Sequence, residues 1–245
     1  MDEDWQVDLE RWLAPYLEAL GNKTRRRMCP AYIAGLIGPG DRKSIQPMAA
    51  RSDASSYDRL HHFIGAGLWD GAPLEAALWG QADELVGGDR AWLIIDDTAL
   101  PKKGKASVGV APQYVTALSK NANCQTLVSV TLASSQFPLM LSLRLFLPES
   151  WTSDTARMDK SGAPAPLQEY CTKPEIAIEE VDRIIAAGVR FGCVLADAGY
   201  GLSAPFRQAL STRGLCWAVG IPRHQKVYPV DVQLDTSKNP WRLRA

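Results

Sequence analysis

Trp92-Leu-Ile-Ile-Asp-Asp-Thr98 is a short apolar run closed by two carboxylates. Gly87-Gly88 stands upstream of it and Pro101 downstream. An uninterrupted apolar run between such punctuators predicts a buried strand. Cys193-Val-Leu-Ala-Asp-Ala-Gly-Tyr200 has the same pattern: an apolar strand ends in Asp197, and Gly199 permits a tight backbone after it. In an α/β sheet, ligands collect outside the carboxyl ends of the strands. Carboxylates ending two adjacent strands would face one site. Hard oxygen ligands of this kind suit Mg²⁺ or Mn²⁺ and not zinc. Two such ions can activate the attacking oxygen and stabilise the leaving oxygen of a phosphodiester. Each Asp also has a plainer reading, as a turn former or helix N-cap. Asp97 before Thr98 is open to turn chemistry. Asp96, which ends the apolar run, is therefore the favoured ligand, and Asp97 is its alternative.

Upstream, Trp5, Leu9, Trp12, Leu13, Tyr16, Leu17 and Leu20 recur at three- and four-residue steps and predict a helix ended by Gly21. Thr24 is a candidate cap for a second helix through Tyr32, Ile33 and Leu36. Ser55 or Ser56 would cap a third, carrying Tyr57, Leu60, His61 and Ile64, and Pro73 fits the first turn of a fourth. Downstream, strand-like runs cover 126–133 and 139–147, followed by a loop rich in Pro, Ser and Asp over 148–173. Pro174 opens a helix closed by Gly188; a strand over 191–196, a helix over 203–213 and a strand over 215–221 complete the pattern. Three strands followed by alternating helices and strands is the order expected of an α/β, RNase H-like mixed sheet flanked by helices. Here it follows an all-helical N-terminal region.

The chain has 245 residues, enough for one large domain or a small and a medium one. Hydrophobic residues at 46% and charged residues at 22% fit a soluble globular chain and do not force disorder. The formal net charge is zero, which weighs against a strongly basic nucleic-acid binder. Local clusters remain: Lys102, Lys103 and Lys105 around Gly104, and Lys23, Arg25, Arg26 and Arg27 on the second helix. Both are candidate phosphate contacts, with a solvated basic surface as the alternative. The cluster at Gly104 lacks the pattern of a phosphate-binding P-loop. The five cysteines are scattered, with no CxxC pair, against a disulfide framework or zinc site and in favour of a reducing compartment. Cys193 and Cys216 lie in apolar runs and read as core. The acidic N-terminus carries no signal-peptide pattern, and no stretch approaches the roughly 20 apolar residues of a membrane span. His61 and His62 point in different directions on a helix and read as packing and surface. Trp151 and Tyr200 are candidates for stacking on an unpaired base.

Several linked blocks resemble bacterial insertion-sequence transposases with a DDE catalytic domain. The first is Ile95-Asp-Asp-Thr-Ala-Leu-Pro-Lys-Lys-Gly-Lys-Ala-Ser-Val-Gly-Val-Ala-Pro-Gln-Tyr114, followed by Asn123-Cys-Gln125. Leu145-Phe-Leu-Pro-Glu-Ser-Trp151 and Lys173-Pro-Glu175 resemble the segment between the first two acids, and Leu195-Ala-Asp-Ala-Gly-Tyr-Gly201 the second catalytic block. The resemblance implies a helical region over 1–88 that binds DNA ends and an RNase H-like DDE core over 89–225. It implies Mg²⁺ (or Mn²⁺), with Asp96 and Asp197 as the first two acids. Its implied partner is double-stranded DNA, both terminal inverted repeats and target, bound as a homodimer by the intact protein. The resemblance further implies no membrane partner and a cytoplasmic location, at the bacterial nucleoid. The family's third acid is a Glu on a helix further downstream. No Glu follows Glu180, and only Asp231 and Asp235 follow Asp197 among the acids. Residues 226–245 therefore read as an aberrant or truncated tail. The expected function is Mg²⁺-dependent cleavage and strand transfer at transposon ends. The alternatives are a catalytically inactive DNA-binding remnant and an RNase H-like nuclease.

Overall fold

Among the described residues, five helices precede the sheet: α1 (Asp4–Ala19), α2 (Lys23–Ile37), α3 (Ile45–Ala50), α4 (Tyr57–Gly65) and α5 (Ala72–Val86). They belong to a computed structural model that describes residues 4–51, 56–65, 70–164, 167–228 and 231. The cap of α2 is Asn22, not Thr24. Its side-chain oxygen accepts from the backbone N–H of Thr24 (2.9 Å) and Arg25 (3.3 Å), which places Thr24 inside the first turn. Pro73 lies in the first turn of α5, as expected. Ser55 falls outside the described residues, and the backbone oxygen of Ser56 accepts from Leu60. Periodicity missed α3, whose six residues are too few to show a repeat. Met28, Met48, Leu60 and Phe63 form a buried cluster among these helices, with Tyr32 packed against it.

The strands are β1 (Gly88–Pro101), β2 (Ala111–Val115), β3 (Lys120–Ala133), β4 (Pro138–Phe146), β5 (Phe191–Ala196) and β6 (Trp217–Val219). They pair in the order β2-β3-β1-β5-β6, and β4 also pairs with β3. The β2–β3 pair is antiparallel and the β5–β6 pair parallel. The sheet is therefore mixed, and with its flanking helices the fold is RNase H-like. Two expectations need correction. β1 does not end at Asp96-Asp97 but runs on to Pro101, and β2 is an additional strand. Five residues with Pro112 second and Gln113 at the centre give β2 no apolar run to detect. Residues 148–173 also hold two short helices, α6 (Glu149–Thr152) and α7 (Thr155–Ser161). After α8 (Lys173–Ala186), α9 (Ala198–Gly201) and α10 (Ala204–Thr212) lie in the segment between β5 and β6. Backbones come very close there: a Cβ on Gly201 would sit 1.9 Å from the carbonyl oxygen of Gly220. Cys193 and Cys216 are not core residues. Cys193 is half-buried, Cys216 is exposed, and their Sγ atoms are 3.7 Å apart.

The chain divides into two compact units. One comprises Met1–Leu93, Ser129–Arg144 and Glu179–Gly192; the other comprises Ile94–Val128, Leu145–Ile178 and Cys193–Ala245.

In the first unit, the Glu180 side chain is fully buried. Its carboxylate accepts from the Ser142 hydroxyl (2.7 Å), from Arg144 (3.1 Å) and from Arg183 (2.8 Å). Arg183 also pairs with Glu75 and lies over the Trp79 ring, 5.1 Å from its centroid. The indole N–H of Trp79 donates to Leu141 (3.0 Å). A buried charge is tolerated only when its lone pairs are met, and here they are. In the second unit, α8 begins with a capping box: the Thr172 N–H and hydroxyl both donate to Glu175, each at 2.7 Å. These bonds hold the Glu175 carboxyl below the usual carboxylate range.

Removing one partner of a buried charge network leaves the others uncompensated. Glu180→Ala should therefore cost about 3–5 kcal/mol in denaturant unfolding. Glu179→Ala, which removes a half-exposed partner of the same Arg144, should cost less than about 1 kcal/mol. Equal costs would show that burial of Glu180 is not what matters. For Glu175 the folded pKa is depressed, so its contribution is present above the unfolded value and is lost as pH falls through the folded one. The stability gap between wild type and Glu175→Gln should close as pH drops below about 4.3, followed by thermal melts across that range.

Candidate active site

Side chains alternate along a strand, so burial of one set fixes where the next residue on that face points. In β1, Ala91, Leu93 and Ile95 are 2% exposed or less, and Trp92 is 39% exposed. Asp97 continues the buried face and is half-buried, whereas Asp96 lies on the other face and is exposed. The Asp97 backbone N–H donates to the Asp96 carboxylate at 2.7 Å. Both oxygens of Asp97 are engaged. Oδ2 meets the Lys173 ammonium at 2.5 Å, and Oδ1 accepts from the Tyr200 hydroxyl at 2.6 Å.

Asp197 follows the last residue of β5 and caps α9. Its Oδ1 accepts from the N–H groups of Gly199 (2.9 Å) and Tyr200 (3.3 Å). The structural role open to a strand-end Asp is thus filled, and it occupies one oxygen. Asp97 and Asp197 line one cavity of about 240 Å³ with Lys173 and Tyr200; Phe146, Tyr170 and Pro174 are further walls. Tyr200 is 3% exposed. Burial, then the charge of Asp97 and its hydrogen bond, then the charges of Asp197 and Asp96, push its phenol far above the ordinary tyrosine range. It is a permanent hydrogen-bond donor to Asp97 and, being buried, is not a platform for a base. Trp151 is not one either: it is 2% exposed, its indole N–H donates to Val110 (2.8 Å), and Arg157 covers its ring at 3.5 Å.

Lys103 and Lys105 are exposed and Lys102 is half-buried. The loop carrying them is held by its backbone. The Asn123 amide donates to the carbonyls of Lys102 (2.9 Å) and Gly104 (2.8 Å), and Arg157 donates to that of Lys105 (3.1 Å). Gln125 similarly donates to Val108 (2.6 Å). These anchoring roles of Asn123 and Gln125 could not be read from their residue types, because each bond joins positions 17–21 residues apart. Arg25, Arg26 and Arg27 belong to the first unit, at the start of α2. Arg26 and Arg27 are exposed there, Arg25 is half-buried, and Arg26 donates to the Glu18 carbonyl (3.2 Å). His61 and His62 are exposed on α4, with His61 stacked on Tyr57 at 5.6 Å.

The donor set of the cavity suits a hard divalent ion. Mg²⁺ typically takes one or two carboxylates and fills its remaining positions with water and substrate phosphate. The ammonium on Asp97 is already a cation in such a place. Among the described residues no group of three or more His, Cys, Asp or Glu converges on one point. Asp235 lies outside the described residues. No described helix is long and apolar enough to cross a membrane.

A family model described as "DDE superfamily endonuclease" matches residues 15–244. A probable transposase for insertion sequence element IS701 from Microchaete diplosiphon is 29% identical over 190 residues, covering 76% of this chain and 46% of that protein. The chain thus spans a little under half the length of this curated relative. With a matched family model extending over nearly its whole length and an RNase H-like sheet beneath it, the chain belongs to the DDE superfamily endonucleases.

Proposed function

We propose that this chain is a transposase that cuts and joins DNA at transposon ends, with Asp97 and Asp197 as carboxylate ligands of Mg²⁺ or Mn²⁺. One observation carries the reading. Carboxylates from β1 and from the end of β5 line a single cavity, and a cation already sits on one of them. The choice of Asp97 over Asp96 as the first acid is supported by the half-buried position of Asp97 and its bonds to Tyr200 and Lys173, with Asp96 exposed on the other face of the strand. When bound, such ions activate the attacking oxygen and stabilise the leaving oxygen. Tyr200 holds the orientation of Asp97, and its own backbone N–H with that of Gly199 holds Asp197. Lys102, Lys103 and Lys105 neutralise phosphates beside the cut, and Arg25, Arg26 and Arg27 contact the terminal repeat. Double-stranded DNA is the partner on this reading, and the intact enzyme works as a homodimer on it.

The test is Mg²⁺-dependent nicking of DNA carrying the element's inverted repeats. Asp97→Asn and Asp197→Asn should each lower the rate by roughly a hundredfold or more, because metal-borne charge stabilisation is worth several kcal/mol. Asp96→Asn should stay within a few-fold of wild type. Loss in Asp96→Asn with retention in Asp97→Asn would reassign the first acid. Repeat binding without any nicking would favour a DNA-binding remnant, and nicking blind to the repeat would favour a general nuclease. In a salt titration of DNA affinity, Lys103→Ala and Lys105→Ala should each flatten the logarithmic slope by about 0.9 per phosphate contact removed.

A further inference from the structure

The cavity holds a contact that a simple metal site does not need. Lys173 opens α8, whose first turn is fixed by the Thr172–Glu175 capping box, so its Cα is firmly placed. From there the side chain passes the Phe146 ring, with Nζ 5.5 Å from the centroid, and reaches Oδ2 of Asp97. The pair is only partly solvated, with Lys173 28% and Asp97 31% exposed. Tyr200 holds the other oxygen through its hydroxyl and brings no positive charge to it. An ammonium and a divalent ion repel each other, and both cannot ride on one carboxylate oxygen.

We propose that Lys173 is an internal competitor for the metal: its ammonium neutralises Asp97 in the metal-free chain and must leave Oδ2 before a divalent ion enters. The inference rests on the proposed metal pair. It makes Lys173 a regulatory residue of that site, setting how readily the site loads. The capping box keeps the lysine within reach, and the Phe146 ring lines its path. A cation permanently at hand also relieves the repulsion of two carboxylates that share a cavity without metal.

The experiment is Mn²⁺ binding to the full chain, followed by electron paramagnetic resonance at constant ionic strength, with thermal melts confirming that each variant is folded. Lys173→Met and Lys173→Gln remove the charge, and Lys173→Arg retains it. The expected result is Mn²⁺ binding that is lost in Asp97→Asn and Asp197→Asn. It should be tighter by about fivefold in Lys173→Met and Lys173→Gln, the equivalent of one partly exposed ion pair. Lys173→Arg should stay near wild type. Binding seen only after the charge is removed would support the proposal equally. Metal binding that needs both aspartates but is unchanged or weaker in Lys173→Met and Lys173→Gln would overturn the competitor role and leave the metal pair standing. Binding indifferent to both aspartates, or no binding in any variant, would overturn both. A purely structural lysine predicts weaker binding or a lower melting temperature, and never a gain in affinity.

Discussion

The two-residue pleat of β1 governs what the site can be. Burying side chains such as Leu93 and Ile95 is worth about 1.5–3 kcal/mol each, whereas a partly exposed aspartate–lysine pair contributes about 1 kcal/mol or less. The apolar side chains therefore decide the facing of the strand, and the carboxylates follow. A slip of one residue would turn Leu93 and Ile95 outward and exchange Asp96 for Asp97. Tyr200 and Lys173 would then face the carboxylate of Asp96 in place of that of Asp97. The chemistry of the cavity is a by-product of hydrophobic register.

Much of the fold was legible because its signals are local. β5 has the bounds its apolar run implies, α5 starts around Pro73, and α10 begins after Ser203, whose hydroxyl accepts from the Phe206 N–H. The short or Pro-bearing elements α3 and β2 carry no such signal. The facing of Asp96 and Asp97 was obscured for a related reason. Trp92 and Ile94 are as apolar as Leu93 and Ile95, so the run shows no alternation, and the exposed face of the strand is marked only by the partial exposure of Trp92. Alternation does emerge in β3, where Cys124, Thr126, Val128, Val130 and Leu132 are buried. In α8 the apolar stripe hid a carboxylate. Glu180 is buried in it while Ile185 is 40% exposed, and its partners Ser142 and Arg144, distant in the chain, join Arg183 of the same helix in making that possible.

The parts of the site that escaped sequence reading share one property: they act through long-range bonds to backbone or carboxylate. Asn123 and Gln125 extend from β3 to tie down carbonyls of the preceding loop, so exposed lysines are presented on a fixed main chain. Trp151 contributes in the same way, from inside. It anchors α6 to Val110 and stacks against the arginine that reaches the Lys105 carbonyl.

The approach of Gly201 to the Gly220 carbonyl bears on how the segment after Asp197 tolerates change. Two main chains meet there with no room for a methyl group, so the turn is shaped by excluded volume as much as by hydrogen bonds. Genetic screens score loss, not cause. At position 201 every replacement adds bulk, so intolerance there would look like that of the carboxylate four residues away that is proposed to hold a metal, although glycine supplies no chemistry. Only a measurement that separates folding from turnover distinguishes the two kinds of indispensable residue in this short stretch.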